Sequence, residues 1–167
     1  MAAFAAQFAV RHSEGAPDLN VSHWIGPTPA PVAGVASIID GDTIEIHGQR
    51  IRLNGIDAPE SAQLCKDAAG KDYRCGQKAS LSLADFLKVH RPTSCIAVDR
   101  VQFRRMVAVC TAGGVDIGEW MVRKGYAVDW PKYSAGFYAA AENEAKRAKR
   151  GVWAGSFERP WEWRRAQ

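Results

Sequence analysis

Residues 40–60 read DGDTIEIHGQRIRLNGIDAPE, and this stretch governs how the rest of the chain is read. Two acidic turns, Asp40-Gly41-Asp42-Thr43 and Asp57-Ala58-Pro59-Glu60, flank a pair of alternating segments. Ile44 and Ile46 share one face of the first segment and Ile51 and Leu53 one face of the second, the period-two pattern of half-buried strands. Gly48-Gln49 suits a two-residue turn between them, which sets Glu45 opposite Arg52. One hairpin thus brings the carboxylates of Asp42, Asp57 and Glu60 within range of the Arg52 guanidinium. Carboxylate oxygens suit a hard cation, and phosphodiester hydrolysis calls for a cation, a base and a charge clamp. A bland reading stands beside this one: both acidic segments are plain turns, and Arg52 is a cross-strand partner of Glu45. Strict alternation places Asp42 and Arg52 on opposite faces, so a shared site requires a bend or bulge near Asp42.

Outward from this hairpin, Val35 to Ile39 is an apolar run suited to a buried strand. A helix is predicted from about Gly76 to Val89, with Ala79, Leu83, Phe86 and Leu87 on one stripe. The segment CIAVDRVQFRRMVAVC, residues 95–110, reads as a hairpin folded about Gln102 and Phe103 and supplies strands four and five. Asp116 caps a short helix whose Ile117, Trp120 and Met121 share a face. Gly125 closes that helix, and Tyr126 to Asp129 is extended. Ser134 is expected to cap a last helix with Phe137, Ala141, Ala145 and Ala148 on one side, ending at Gly151. Five short strands with a helix between the third and fourth describe an α+β chain, a five-stranded OB-fold β-barrel with about three packed helices.

The length of 167 residues suits one domain with a sizeable core. Residues 1–32, rich in Pro, Ala, Ser and Gly in their second half, read as a linker or leader remnant, with Trp24 able to dock. Residues 33–167 are expected to form the domain, with a basic C-terminal tail. No apolar run reaches the roughly 18 residues of a membrane span. The net charge of +4 is compatible with a polyanionic partner. Its basic excess gathers late, in Lys146, Arg147, Lys149, Arg150, Arg159, Arg164 and Arg165, either as a solvated face or as a phosphate-attracting surface. The four histidines are unclustered and receive no role.

Cys65, Cys75, Cys95 and Cys110 include no C-x-x-C pair, which argues against a four-cysteine zinc site. The hairpin sets Cys95 opposite Cys110, at a separation that a disulfide tolerates. Cys65 and Cys75 would close a local loop. The alternative is four reduced thiols. Disulfides imply an oxidising compartment. The expectation is therefore export, periplasmic or extracellular, with no evident signal sequence in this chain: its apolar start lacks a basic leader region.

The chain from about Val35 to Trp153 resembles the staphylococcal nuclease family. The resemblance rests on DGDT at 40–43, on Arg52, Asp57, Pro59 and Glu60 as R-x4-D-x-P-E, and on R-x-V-A at 105–108. It extends to Gly125–Ala127 and to AENEAKRAKRGVW at 141–153. The cysteines and the closing GVWAGSFERPWEWR resemble its exported bacterial branch. The resemblance implies an OB barrel and calcium-dependent hydrolysis of single-stranded or open DNA and RNA, leaving 3′-phosphate ends. It assigns Ca2+ to the Asp42 and Asp57 carboxylates and the Ala58 carbonyl, general base to Glu60, and the phosphate clamp to Arg52 and Arg105. The family's D-R-Y-G-R is replaced by Asp99-Arg100-Val101-Gln102-Phe103-Arg104-Arg105, two residues longer; counting back from Cys110 selects Arg105. Trp130 and Tyr133 are candidates for an aromatic wall at the base. A monomer is the default. The competing class is a non-catalytic OB module that binds single-stranded nucleic acid or a protein partner.

Overall fold

The computed structural model describes residues 30–102 and 105–167, with backbone alone at 99–102. Trp24 and most of the 1–32 segment lie outside the described residues. The chain runs through β1 (Val32–Gly34), β2 (Ser37–Asp40), β3 (Thr43–Ile46), β4 (Gln49–Leu53), β5 (Ile56–Asp57), β6 (Leu64–Lys66) and β7 (Asp72–Arg74) into α1 (Cys75–Val89). It continues through β8 (Thr93–Gln102), β9 (Arg105–Ala112), β10 (Val115–Asp116), α2 (Ile117–Arg123), β11 (Val128–Asp129) and α3 (Pro131–Ser134). Last come α4 (Ala139–Arg147), a 3-10 turn (Gly151–Ala154) and α5 (Pro160–Arg165). The main sheet is ordered β1-β8-β9-β4-β3-β2, with β10 added on β9. All its pairs are antiparallel except β4 with β9. This is a mixed α+β architecture with three longer helices, α1, α2 and α4. Among the described residues no strand pairing closes β2 back onto the far edge.

The β3–β4 register differs from the sequence expectation. The turn residues are His47 and Gly48, both at positive φ (52° and 79°), the condition for a type I′ hairpin turn. Ile46 consequently faces Gln49, Glu45 faces Arg50, and Thr43 faces Arg52. Every pair slips by two residues from the expected register, which keeps the isoleucines inward while freeing Arg52 from Glu45. Arg50 approaches Glu45 at 4.0 Å instead.

The apolar stripe of α1 is buried as its spacing demands: Ala79 and Leu83 are fully enclosed, with Phe86 and Leu87 beside them. Truncating a leucine in such a place costs about 2–5 kcal/mol. Asp116 caps α2, accepting from the Glu119 N–H at 2.9 Å. The last helix departs from expectation. Ala135 is left-handed at φ 51° and Gly136 follows at φ 81°, so the backbone breaks after Ser134 and α4 begins only at Ala139. Ser134 ends α3, and its Oγ accepts from the Gly136 N–H at 2.9 Å. Phe137 is exposed, while its neighbour Tyr138 enters the core.

Both disulfides form. Cys95 pairs with Cys110 across β8 and β9, and Cys65 joins the start of α1 at Cys75. The two extra residues before Arg105 are absorbed by register shifts in β8, between Ala97 and Asp99 and between Asp99 and Gln102.

Candidate active site

Asp40, Gly41 and Asp42 lie at the corner between β2 and β3, where the pairing shifts between Ile38 and Asp40. Asp42 sits in this turn rather than in the strand, and that escapes the alternation that would separate it from Arg52. Arg52 Nη1 donates to Asp42 Oδ1 at 2.6 Å and its Nη2 to Asp57 Oδ1 at 2.7 Å. One guanidinium thus bridges the two acidic turns. The Ala58 N–H donates to Asp42 Oδ2 at 3.0 Å, and the Asp42 N–H to Asp40 Oδ1 at 3.0 Å. Two glycines make this approach possible. A Cβ on Gly41 would stand 2.7 Å from the Ala58 Cβ and 3.1 Å from that of Ala79. A Cβ on Gly76 would run into the Glu60 carbonyl and stand 2.6 Å from the Pro59 carbonyl oxygen.

Asp57 lies on β5, which pairs with β11 opposite Val128, and its carboxylate is fully buried. Glu60 opens a tight turn in which its N–H meets Gln63 Oε1 at 3.2 Å and its carbonyl accepts from the Gln63 N–H at 2.8 Å. Arg105 starts β9. Val107, two residues on, lies beside Arg52 in the parallel register, so Arg105 shares the face of Arg52. Among the described residues Arg105 makes no ion pair. Asp40, Asp42, Arg52, Ala58, Glu60, Arg105, Trp130 and Tyr133 line one pocket of about 400 Å³. All six residues assigned from the resemblance, Asp57 included, therefore converge on one place.

Sequence reasoning missed a seventh. Arg164 of α5 reaches the same pocket: Nη2 meets Asp57 Oδ2 at 2.9 Å, and Nη1 meets Asp57 Oδ1 at 3.1 Å and Glu60 Oε1 at 2.7 Å. Its helix is held by Trp161, stacked on Trp130 at 5.6 Å, and by Gln63 Nε2, which donates to the Glu158 carbonyl at 2.7 Å. The Arg52 and Arg164 guanidiniums both lie over the Trp130 ring, at 5.7 and 5.6 Å. The only sequence hint was a basic tail opened by Pro160 and interleaved with tryptophans.

Burial pushes the Asp42 carboxyl above its ordinary value, against the pull of Arg52 and the Ala58 N–H. Asp40 is also raised, by burial and by the charge of Asp42. Burial acts to lower the Arg52 guanidinium, but Asp42 and Asp57 outweigh it and hold it above its usual range. Arg164 stands above its usual range in the same way: its bonds to Asp57 and Glu60 overcome the effect of burial. The donor set is chemically suited to a hard cation: several carboxylates and a main-chain segment at one pocket wall, with only oxygen ligands on offer. As placed, no three acidic side chains among the described residues gather around one point. Arg52 stands between Asp42 and Asp57, and Arg164 between Asp57 and Glu60.

Comparison with known proteins places this geometry in a family. Residues 50–155 match the family described as staphylococcal nuclease homologue. An uncharacterized endonuclease of Escherichia coli O157:H7 is 31% identical over 137 residues, covering 78% of this chain and 82% of that protein. The chain belongs to the staphylococcal nuclease family. It is also 45% identical over 124 residues to the succinoglycan biosynthesis protein ExoI of Rhizobium meliloti, covering 74% of this chain and 65% of the relative. A probable staphylococcal-like nuclease of Oryza sativa is 34% identical over 128 residues, but the match spans only 32% of that longer protein.

Proposed function

We propose that this chain is a calcium-dependent nuclease that hydrolyses phosphodiester bonds of DNA and RNA and leaves 3′-phosphate ends. The observation that carries the reading is the Arg52 bridge between Asp42 and Asp57, in a pocket that also holds Glu60 and Arg105. Asp42, Asp57 and the Ala58 carbonyl are the groups to hold Ca2+, which when bound supplies positive charge that polarises a phosphate oxygen. Glu60, held at its backbone by Gln63, orients a water and takes its proton. Arg52 and Arg105 offer paired N–H donors to the phosphate, a fork that suits charge spread over several oxygens better than a point charge does. Exposed Tyr133, edge-on to Trp130, offers a ring face beside the pocket for a base, while the Trp130 ring already meets Trp161 and two guanidiniums.

The parallel pairing of β4 with β9 and the position of α1 between the third and fourth of the five principal strands support an OB-type barrel. The two disulfides support export to an oxidising compartment. The domain begins near residue 33, and the chain acts as a monomer.

The test is cleavage of heat-denatured DNA and of RNA with millimolar Ca2+ or with EDTA, beside Glu60→Ala. Cleavage requires Ca2+ and falls at least about 100-fold in the variant. A folded, oxidised protein that binds single strands without cutting them would transfer the chain to the binding-module class.

A further inference from the structure

The catalytic reading leaves Arg164 unexplained. A guanidinium that chelates a buried carboxylate and grips the proposed base occupies the place where the reading puts chemistry. Both oxygens of Asp57 accept from guanidiniums: Oδ1 from Arg52 and Arg164, Oδ2 from Arg164. A cation that ligates Asp57 competes with one of them for its oxygens. The two arginines differ in how firmly they are held. Arg52 projects from the middle of a strand, is 17% exposed at its side chain, and is fixed at its other nitrogen by Asp42. Arg164 sits near the end of a six-residue helix and is 33% exposed; among the described residues its partners are the two acids and the Trp130 ring. Its long side chain can swing out with no backbone movement. A guanidinium and a divalent cation within about 4 Å of each other also repel, so a cation at Asp57 favours departure of the more loosely held of the two arginines.

We propose that Arg164 is a built-in counter-cation of the acid site, seated between Asp57 and Glu60, and that a divalent cation taken up by Asp42, Asp57 and the Ala58 carbonyl displaces it. The inference rests on the calcium reading above. It makes the C-terminal helix a positioning element: with Arg164 seated, Asp57 and Glu60 are held in place and neutralised; with Arg164 displaced, Glu60 is released to act on water. By linkage, the cation and the docked arginine weaken each other equally. Because Arg164 lies over the Trp130 ring at 5.6 Å, its displacement changes the surroundings of that tryptophan.

The test is isothermal titration of Ca2+ into the full oxidised chain as wild type, Arg164→Gln and Arg164→Lys, with calorimetric melting to show that each is folded. Arg164→Gln binds Ca2+ at least about tenfold more tightly, a difference of about 1.4 kcal/mol. Arg164→Lys, which keeps the charge but loses the two-pronged grip, falls between, so the series reads out even if Arg164→Gln folds poorly. In the wild type, tryptophan emission changes with the same midpoint as the heat. Equal affinity in all three proteins overturns the role of Arg164 and leaves the calcium site standing. Absence of binding in all three overturns the calcium reading, and the displacement with it.

Discussion

Gly41→Ala adds one methyl group at the point where the two acidic turns touch. No backbone strain is involved, because Gly41 does not sit at positive φ. The new Cβ would lie 2.7 Å from the Ala58 Cβ and 3.1 Å from the Ala79 Cβ. Ordinary carbon contacts are about 3.5–4.0 Å, so the Ala58 turn must retreat by roughly 1 Å. α1, with Ala79 fully buried, closes the other direction of escape. The Ala58 N–H now donates to Asp42 Oδ2 at 3.0 Å, and a retreat of that size breaks the bond. Overpacking costs about 1–3 kcal/mol, and loss of a hydrogen bond to a charged group adds about 1.5–3 kcal/mol. At about 2–4 °C per kcal/mol for a chain of this size, Tm falls by roughly 5–24 °C. Displacing the Asp42–Asp57 pair by about 1 Å lowers kcat/KM for denatured DNA about 100-fold at a temperature where the protein remains folded. The rescue is specific. Ala58→Gly in the same chain removes the methyl group that is struck and recovers about tenfold or more of the activity, with a coupling above about 0.5 kcal/mol in Tm-derived stability. Gly41→Ala with kcat/KM within about threefold of wild type, or a second substitution that adds to the first with no coupling, would refute the reasoning.

Arg52→Lys keeps the charge but cannot span Asp42 and Asp57 together, so kcat/KM falls about 100-fold or more in steady-state assays. Glu142 is buried, yet its carboxyl is held below its ordinary 4.5: burial acts to raise it, and Lys146, Arg159 and the Asp129 N–H outweigh burial. A lowered carboxylate contributes stability that is complete above 4.5 and lost as pH falls through the folded value. Urea melts should therefore show Glu142→Gln less stable than wild type by about 2 kcal/mol or more at pH 7, with the gap closing as the pH drops below 4.5. The paired replacement of Cys95 and Cys110 by Ala opens a loop with a sequence separation of 15, and denaturant melts should give a loss of about 3 kcal/mol.

The acidic turns, the helix stripe of α1, the Asp116 cap and both cysteine pairs were legible because each is written within a few residues or by a simple period. The convergence of Asp42 on Arg52 was expected only with a bend near Asp42, and the form of that bend was not legible. It depends on a shift in strand register and on a turn that starts one residue earlier than Gly48-Gln49, and His47 at positive φ leaves little trace in a single sequence. The last helix was misread because a run of alanines disguises the break at Ala135 and Gly136, where two successive left-handed residues end one helix before another begins. Arg164 lies 107 positions from Asp57. No local pattern reports a contact over that distance, and a basic tail looks the same whether it is solvated or buried in an acid site.

Gln63 is fully buried, and its one amide group touches both Glu60 and, 95 positions later, the carbonyl of Glu158. This gives the site a place in time. The strands, α1 and both cysteine pairs come from residues that precede 158, so the acid site is the part of the fold that waits for the C-terminal turn to dock. Until then the amide that steadies Glu60 has no acceptor at Glu158, and Asp57 has no Arg164. With that turn undocked, the chain carries its sheet and an unfinished acid site. The pocket reaches its final form only as the last tryptophan-rich turn docks, and a chain clipped before that turn lacks both the Glu158 acceptor of Gln63 and the Arg164 partner of Asp57.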